Sequence, residues 1–161
     1  MEIRLRSTGE VMLEDQFRRY QKENGGPTWD RTTDEVLEAL GADVVFEGAQ
    51  ATGGTVYQYS MRSGVEQING KWYSKYILGP VFANTEDATA VEQEAAYKAQ
   101  KDAEFAANAR SQRDTLLTQT DWTQVADAPV DKAAWATYRQ ALRDVPQQIG
   151  FPTTITWPEK P

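Results

Sequence analysis

The chain contains no cysteine and no histidine. The first absence excludes disulfides, thiolate metal sites and cysteine nucleophiles, and the second removes the commonest general base and the commonest metal ligand. Basic residues are outnumbered, 17 Lys and Arg against 24 Asp and Glu, for a formal net charge of −7. Binding to a phosphate backbone draws on clustered Lys and Arg, so nucleic acid is not an expected partner. No apolar run approaches the roughly 18 to 20 residues of a membrane span, so no membrane partner is expected. The start, Met1-Glu-Ile-Arg-Leu-Arg6, lacks the apolar core of a signal peptide. The expectation is a soluble protein that begins at or near Met1 and stays in the cytoplasm where it is made.

With Cys and His missing, an enzyme would have to rest on carboxylates. Pairs such as Glu35 with Glu38, or Glu14 with Asp15, are what any acidic surface supplies, and nothing in the sequence marks a cleft between two acids. Ser60 and Ser63 have no base partner, and Gly53-Gly54 is too short for a phosphate loop. The chain is therefore read as a non-enzyme, with no catalytic residue, no metal and no cofactor.

What is present suffices for one ordinary core or two small ones, since 40% of 161 residues are hydrophobic. Ile3 and Leu5 alternate with charged residues, which predicts a short strand ended by Gly9. From Glu10 to Asn24, Leu13, Phe17 and Tyr20 recur at helical spacing ahead of Gly25-Gly26-Pro27. Thr32 followed by Glu35 fits a capping box for a second short helix ending at Gly41. Val44–Phe46 is a short apolar run. Strands are expected over Val56–Met61, Val65–Ile68 and Lys71–Leu78, with turns at Arg62-Ser-Gly64 and Asn69-Gly70, the latter tolerating the positive φ of a two-residue hairpin. Residues 1–82 thus read as a small α+β domain with an antiparallel meander and two short helices.

Residues 83–118 read as a long Ala-rich helix capped at Thr85, free of proline and glycine from Glu86 to about Thr118. Its large apolar residues, Val91, Tyr97, Phe105, Leu116 and Leu117, keep no heptad, which disfavours a self-sufficient coiled coil. A strut between two working surfaces is the expectation. Residues 119–161 form a C-terminal helical segment with an aromatic–proline tail. Asp131 is placed to cap a helix, with Val130 and Trp135 as a hydrophobic staple and Trp135, Tyr138 and Leu142 on one face. Phe151-Pro152 and Trp157-Pro158 favour extended backbone, so a helical hairpin closed by its own tail is predicted.

Arg113-Asp114-x-Leu-Leu117, Thr120-Asp121-Trp122-Thr-Gln124, the turn at Pro129, Ala134-Trp135 with Tyr138-Arg139-x-Ala-Leu142, Gly150-Phe-Pro152 and Trp157-Pro158 together resemble the C-terminal signature of tailed-phage tail assembly chaperones, also called tail fibre assembly proteins. The N-terminal part looks more like cyanophage-type relatives. The resemblance implies an ATP-independent partner that binds a trimeric tail fibre protein at its tip or C-terminal region and assists its folding. It implies action in the host cytoplasm during assembly, with release or retention on the virion fibre as alternatives. The rival reading is a permanent structural subunit of the tail or baseplate.

Two sets of residues follow as candidates. Tyr57, Tyr59, Trp72, Tyr73 and Tyr76 exceed what one face of so small a sheet hides, and read either as packing or as a fibre-binding patch. Alternation places Trp72 and Tyr76 on one face and Tyr73 on the other, with Tyr57 and Tyr59 sharing a face. A free sheet edge is a second candidate contact, and self-association a further one. Trp122, Trp135, Tyr138 and Trp157 read as packing. Arg113-Asp114 with Arg139 and Arg143 are expected to brace the helices by ion pairs. With Asp121, Pro152 and Pro158 these complete the signature.

Overall fold

The computed structural model describes residues 1–161, and the chain divides into two compact units, Met1–Val81 and Phe82–Pro161. The fold class is α+β, a mixed five-stranded sheet with four α-helices.

The first unit is built from β1 (Glu2–Leu5), β2 (Val11–Leu13), α1 (Glu14–Glu23), α2 (Asp34–Ala39), β3 (Ala42–Phe46), β4 (Tyr59–Ile68) and β5 (Lys71–Gly79), with strand order β2-β1-β3-β5-β4. Ile3 stands opposite both Met12 and Val44, and Leu5 opposite Ala42, so the pleat gathers these side chains on one face. Phe17 of α1 and Leu37 of α2 close over them, with Tyr20, Trp29 and Leu40 around the rim. The covered area is β2-β1-β3, and the face continues over β5 and β4 as described below.

Four local expectations are corrected in this unit. The segment after Gly9 is first a strand, because Val11 and Met12 pair with β1; the helix begins only at Glu14, and Leu13 is exposed instead of lying on its apolar side. Thr33, not Thr32, caps α2 by accepting from the Val36 N–H. The Thr32 hydroxyl is taken by Glu14 at 2.5 Å and by the Trp29 indole N–H at 2.9 Å. Arg62-Ser-Gly64 is a bulge inside one long strand, since Arg62 pairs with Tyr76 and Val65 with Ser74. Finally, the sheet is mixed, because β3 runs parallel to β5. The chain leaves β3 through residues 47–58, reaches the outer edge as β4, and the Asn69-Gly70 turn returns it between β4 and β3.

The second unit opens with a turn in which Thr85 bonds to Ala88, and Phe82 packs on Tyr97 at 5.6 Å. The helix cap is thus Thr89, which forms a reciprocal capping box with Glu92, and not Thr85. Helix α3 (Ala90–Gln119) runs unbroken for 30 residues. A 3-10 turn over Asp121–Gln124 leads to α4 (Lys132–Asp144), where the N–H groups of its second and third residues, Ala133 and Ala134, donate to the Asp131 carboxylate. Trp135, Tyr138 and Leu142 form the second core with Leu116, Leu117, Val130 and Trp157. Phe151-Pro152 lies in a turn with a cis bond where extended backbone is expected, and from Ile155 the tail has no regular secondary structure. The Gln148 side chain clasps that tail, donating to the Thr156 carbonyl at 2.8 Å and accepting from its N–H at 2.9 Å.

Ion pairs tie the first sheet to its helices and edges, and these set its response to acid. Hydrogen bonds from Arg62 hold the Glu2 carboxyl below its ordinary value of 4.5. Thr32, with Arg18, does the same for Glu14, and Arg6 does so for Glu38. In each case the folded value is depressed, so the stabilisation is complete above the unfolded value and is lost as pH falls through the folded one. Melting temperature is expected to hold between about pH 7 and 5 and to fall below about 4.5, with Glu2→Gln flattening part of that fall. A pH series of thermal melts checks this.

Candidate functional site

The five candidate aromatics of the sheet divide between its two faces. Trp72 and Tyr76 share the face that also carries Glu2, Arg4 and Arg62. There the Arg4 guanidinium stacks 3.9 Å from the Trp72 ring centre, the Tyr76 hydroxyl donates to Glu47, and Arg62 pairs with Glu2. The bond to Glu47 raises the Tyr76 pKa above its ordinary value. Both rings are half-buried and engaged in internal polar contacts. Tyr57 lies in the loop before β4 and is half-buried, so it does not share a strand face with Tyr59.

Tyr59 and Tyr73 lie on the opposite face, beyond the area that α1 and α2 cover. Tyr73 packs on Phe46 with ring centres 5.6 Å apart. The register places Tyr59, Met61 and Ile68 of β4 and Ile77 of β5 on this same face. Phe46 is 43% exposed, Tyr59 56% and Ile68 48%. Lys71 and Lys75 point from the same side of β5, and the Lys71 ammonium lies 5.5 Å from the Phe46 ring centre. The arrangement is an aromatic and aliphatic surface edged by lysines, with exposed Glu66 opposite Tyr73, and it suits a protein partner. Phe46, Met61 and Ile68 were not singled out by sequence reasoning. The register of the Asn69-Gly70 hairpin carries the signal for Ile68 alone; Met61 reaches this face only through the bulge between Arg62 and Val65, and Phe46 only through the pairing of β3 with β5.

A cleft of about 180 Å³ beside this surface is lined by Leu37, Phe46, Trp72, Arg6, Glu38 and Asp43, among others. Arg6 donates to Glu38 through both terminal nitrogens and to Asp43 through Nε at 2.9 Å. A carboxylate held ionised in this way, as Glu38 is, has no proton to give as a general acid. No group of three or more acidic side chains is placed to hold a metal ion.

The C-terminal signature residues come together around the junction of α3 and α4. Arg139, 6% exposed, donates through Nη1 to the Leu117 carbonyl at 2.6 Å and the Thr120 hydroxyl at 2.7 Å, and through Nη2 to Asp121 at 2.7 Å. At the C-terminal end of α3 it adds a charged donor to a carbonyl that already accepts from the Thr120 N–H at 3.1 Å. Thr120 and Thr123 are themselves buried, with the Thr123 hydroxyl donating to the Thr120 carbonyl, so Thr120-Asp121-Trp122-Thr123 is a packed turn. Trp122 lies 6.1 Å from Trp135, which meets Tyr138 edge-on at 5.8 Å; Trp157 packs on the same cluster, and Pro152 and Pro158 are half-buried. Arg113 turns to its exposed neighbour Asp114, so the expected ion pairs linking Arg113-Asp114 to Arg139 are not made.

Replacing Arg139 by lysine is expected to cost about 2 kcal/mol, because one ammonium cannot reach all three acceptors in place of the fork. Most of that cost comes from the carbonyl and hydroxyl bonds, since Asp121 is exposed and its ion pair is screened. Urea unfolding of the two chains checks it.

No helix is long and apolar enough to cross a membrane. Neither a curated protein nor a solved structure matches the chain. Residues 106–161, which contain the α3–α4 junction and the tail, match the model of the family described as phage tail assembly chaperone protein.

Proposed function

We propose that the protein is an assembly chaperone for a phage tail fibre protein, binding it near its tip or C-terminal region and assisting folding or trimerisation without nucleotide. The family match of the C-terminal segment carries this reading. The face formed by Phe46, Tyr59, Met61, Ile68, Tyr73 and Ile77, with Phe46, Tyr59 and Ile68 exposed, supports this reading, and we assign the contact to it. An incompletely trimerised fibre end exposes apolar surface and free strand edges, and a chain that covers them keeps the fibre from aggregating. Selective binding to the folding-competent form shifts the equilibrium by mass action. The second unit, with Trp135 and Tyr138 buried in its own core, serves as the scaffold.

The test is expression of the tail fibre protein encoded in the same genome, with and without this chain. Soluble trimeric fibre only in the presence of the chain is the expected result. Equal trimer yield without it, and a fixed number of copies in mature particles, would replace the chaperone reading with that of a permanent tail subunit.

A further inference from the structure

β4 is the outermost strand of the sheet and pairs only with β5. Its far edge carries unpaired backbone N–H and C=O groups along Tyr59–Ile68, 10 residues. An edge of this length is a template for another strand, and proteins normally blunt it. The opposite edge, β2, has 3 residues and offers far less.

The bulge gives the β4 edge a particular character. Between the pairs Arg62–Tyr76 and Val65–Ser74, Ser63 and Gly64 together face a single residue, Lys75. Gly64 has φ +81°, a backbone angle that bulges of this kind draw from glycine. With only a hydroxymethyl and a hydrogen as side chains, the middle of β4 puts nothing bulky between Lys75 and the space beyond the edge. Lys75 is exposed, and neither it nor Lys71 takes part in an ion pair. In a chain of net charge −7, the hairpin 59–79 is positive, with Arg62, Lys71 and Lys75 against Glu66. Neighbouring strands lie about 4.8 Å apart, so a strand added to β4 would stand about 10 Å from β5, a gap that an extended lysine and a carboxylate close between them.

From this geometry we infer that the outer edge of β4 receives an extended, acidic segment of the tail protein, whose backbone continues the sheet and whose central carboxylate meets Lys75. The inference rests on the chaperone reading above and adds the mode of binding and the chemistry of the partner segment. A second copy of this chain is the poorer occupant. Two β4 edges paired antiparallel with full overlap would centre on Ser63–Gly64 and set Lys75 across from Lys75 on β5 strands about 14 Å apart, supplying neither with a carboxylate, between chains that each carry −7.

The test follows backbone amide exchange over residues 59–68 in the full chain, alone and bound to the tail fibre protein from the same genome, beside the affinities of Lys75→Glu and Lys22→Glu. The charge change at exposed Lys22 on α1 is the control. Alternate β4 amides are expected to exchange at least about tenfold more slowly in the complex, and Lys75→Glu to weaken binding about tenfold while Lys22→Glu does not. A complex in which β4 exchanges as it does in the free chain overturns the edge site and leaves the chaperone reading standing. No complex at all removes both. Protection of β4 that grows with the concentration of this chain alone assigns the edge to a second copy and likewise overturns the inference.

Discussion

A chain with Trp135 replaced by alanine is expected to lose about 4 kcal/mol of stability in its second unit, against about 1 kcal/mol for Trp122→Ala. Trp135 is 7% exposed and stands between the Trp122 ring, the Tyr138 edge and the Lys160 ammonium, 5.6 Å from its ring centre. Its removal leaves a cavity that α4 cannot collapse into without unseating Val130 and Leu142. Trp122 is 51% exposed and gives up one ring contact to solvent that already reaches it. Sequence reasoning reads Trp122 with Trp135, Tyr138 and Trp157 as packing, and its exposure makes it the lesser contributor beside Trp135. Because the two units need not unfold together, the measurement is amide exchange on α4 and the C-terminal half of α3, read as local opening free energy.

Replacing Gly48 by alanine is expected to cost about 3 kcal/mol or more in the first unit. A methyl at this position would stand deep inside the van der Waals radius of the Ser74 carbonyl oxygen, which belongs to the backbone of β5. Ser74 is itself buried at the centre of the sheet, so β5 cannot move aside without disturbing its pairing with β4. Gly79→Ala provides the contrast. The group in its way is the side chain of Met61, a flexible thioether that can take another rotamer, and the expected cost is about 1 kcal/mol. Urea unfolding followed by β4 and β5 amide exchange separates the two, and equal costs would mean that the chain after β3 is free to shift.

Features set by residues close in sequence were legible. The Asn69-Gly70 turn was, because both residues carry positive φ and few other dipeptides do so readily. The Asp131 cap and the Val130–Trp135 staple were equally local. Thr89 with Glu92 was legible by the same capping rule that was applied to Thr32 and Glu35, and was passed over for Thr85. The cap of α2 was not legible, because what removes Thr32 from that role is Glu14, 18 residues away. The Gly64 bulge could not be told from a turn, since both require a glycine at positive φ. The parallel pairing of β3 with β5 depends on the route of residues 47–58 past the sheet, which no periodicity encodes. Arg139 read as a surface ion-pair former because its main acceptors, a backbone carbonyl and a threonine hydroxyl at the end of α3, leave no charge pattern in the sequence.

The candidate surface was half legible. Tyr59 and Tyr73 were singled out with Tyr57, Trp72 and Tyr76, and strand alternation already separated Tyr73 from Trp72 and Tyr76. The internal partners of those last two, Arg4 and Glu47, come from other segments. Phe46 joins the surface only through the β3–β5 pairing that the sequence did not reveal.

The central claim is that the β4–β5 face of the first unit grips the tail protein while the second unit supports it. Calorimetric titration of the tail fibre protein from the same genome with three chains tests this most directly: the unaltered chain, a Phe46→Ser/Tyr59→Ser double variant and a Trp122→Ser variant. All three replaced side chains are substantially exposed, so the variants are expected to fold, which circular dichroism verifies. The account predicts that the double variant binds at least about tenfold more weakly and that Trp122→Ser binds as the unaltered chain does. Full affinity in the double variant together with a loss in Trp122→Ser would contradict it and move the fibre contact to the C-terminal unit.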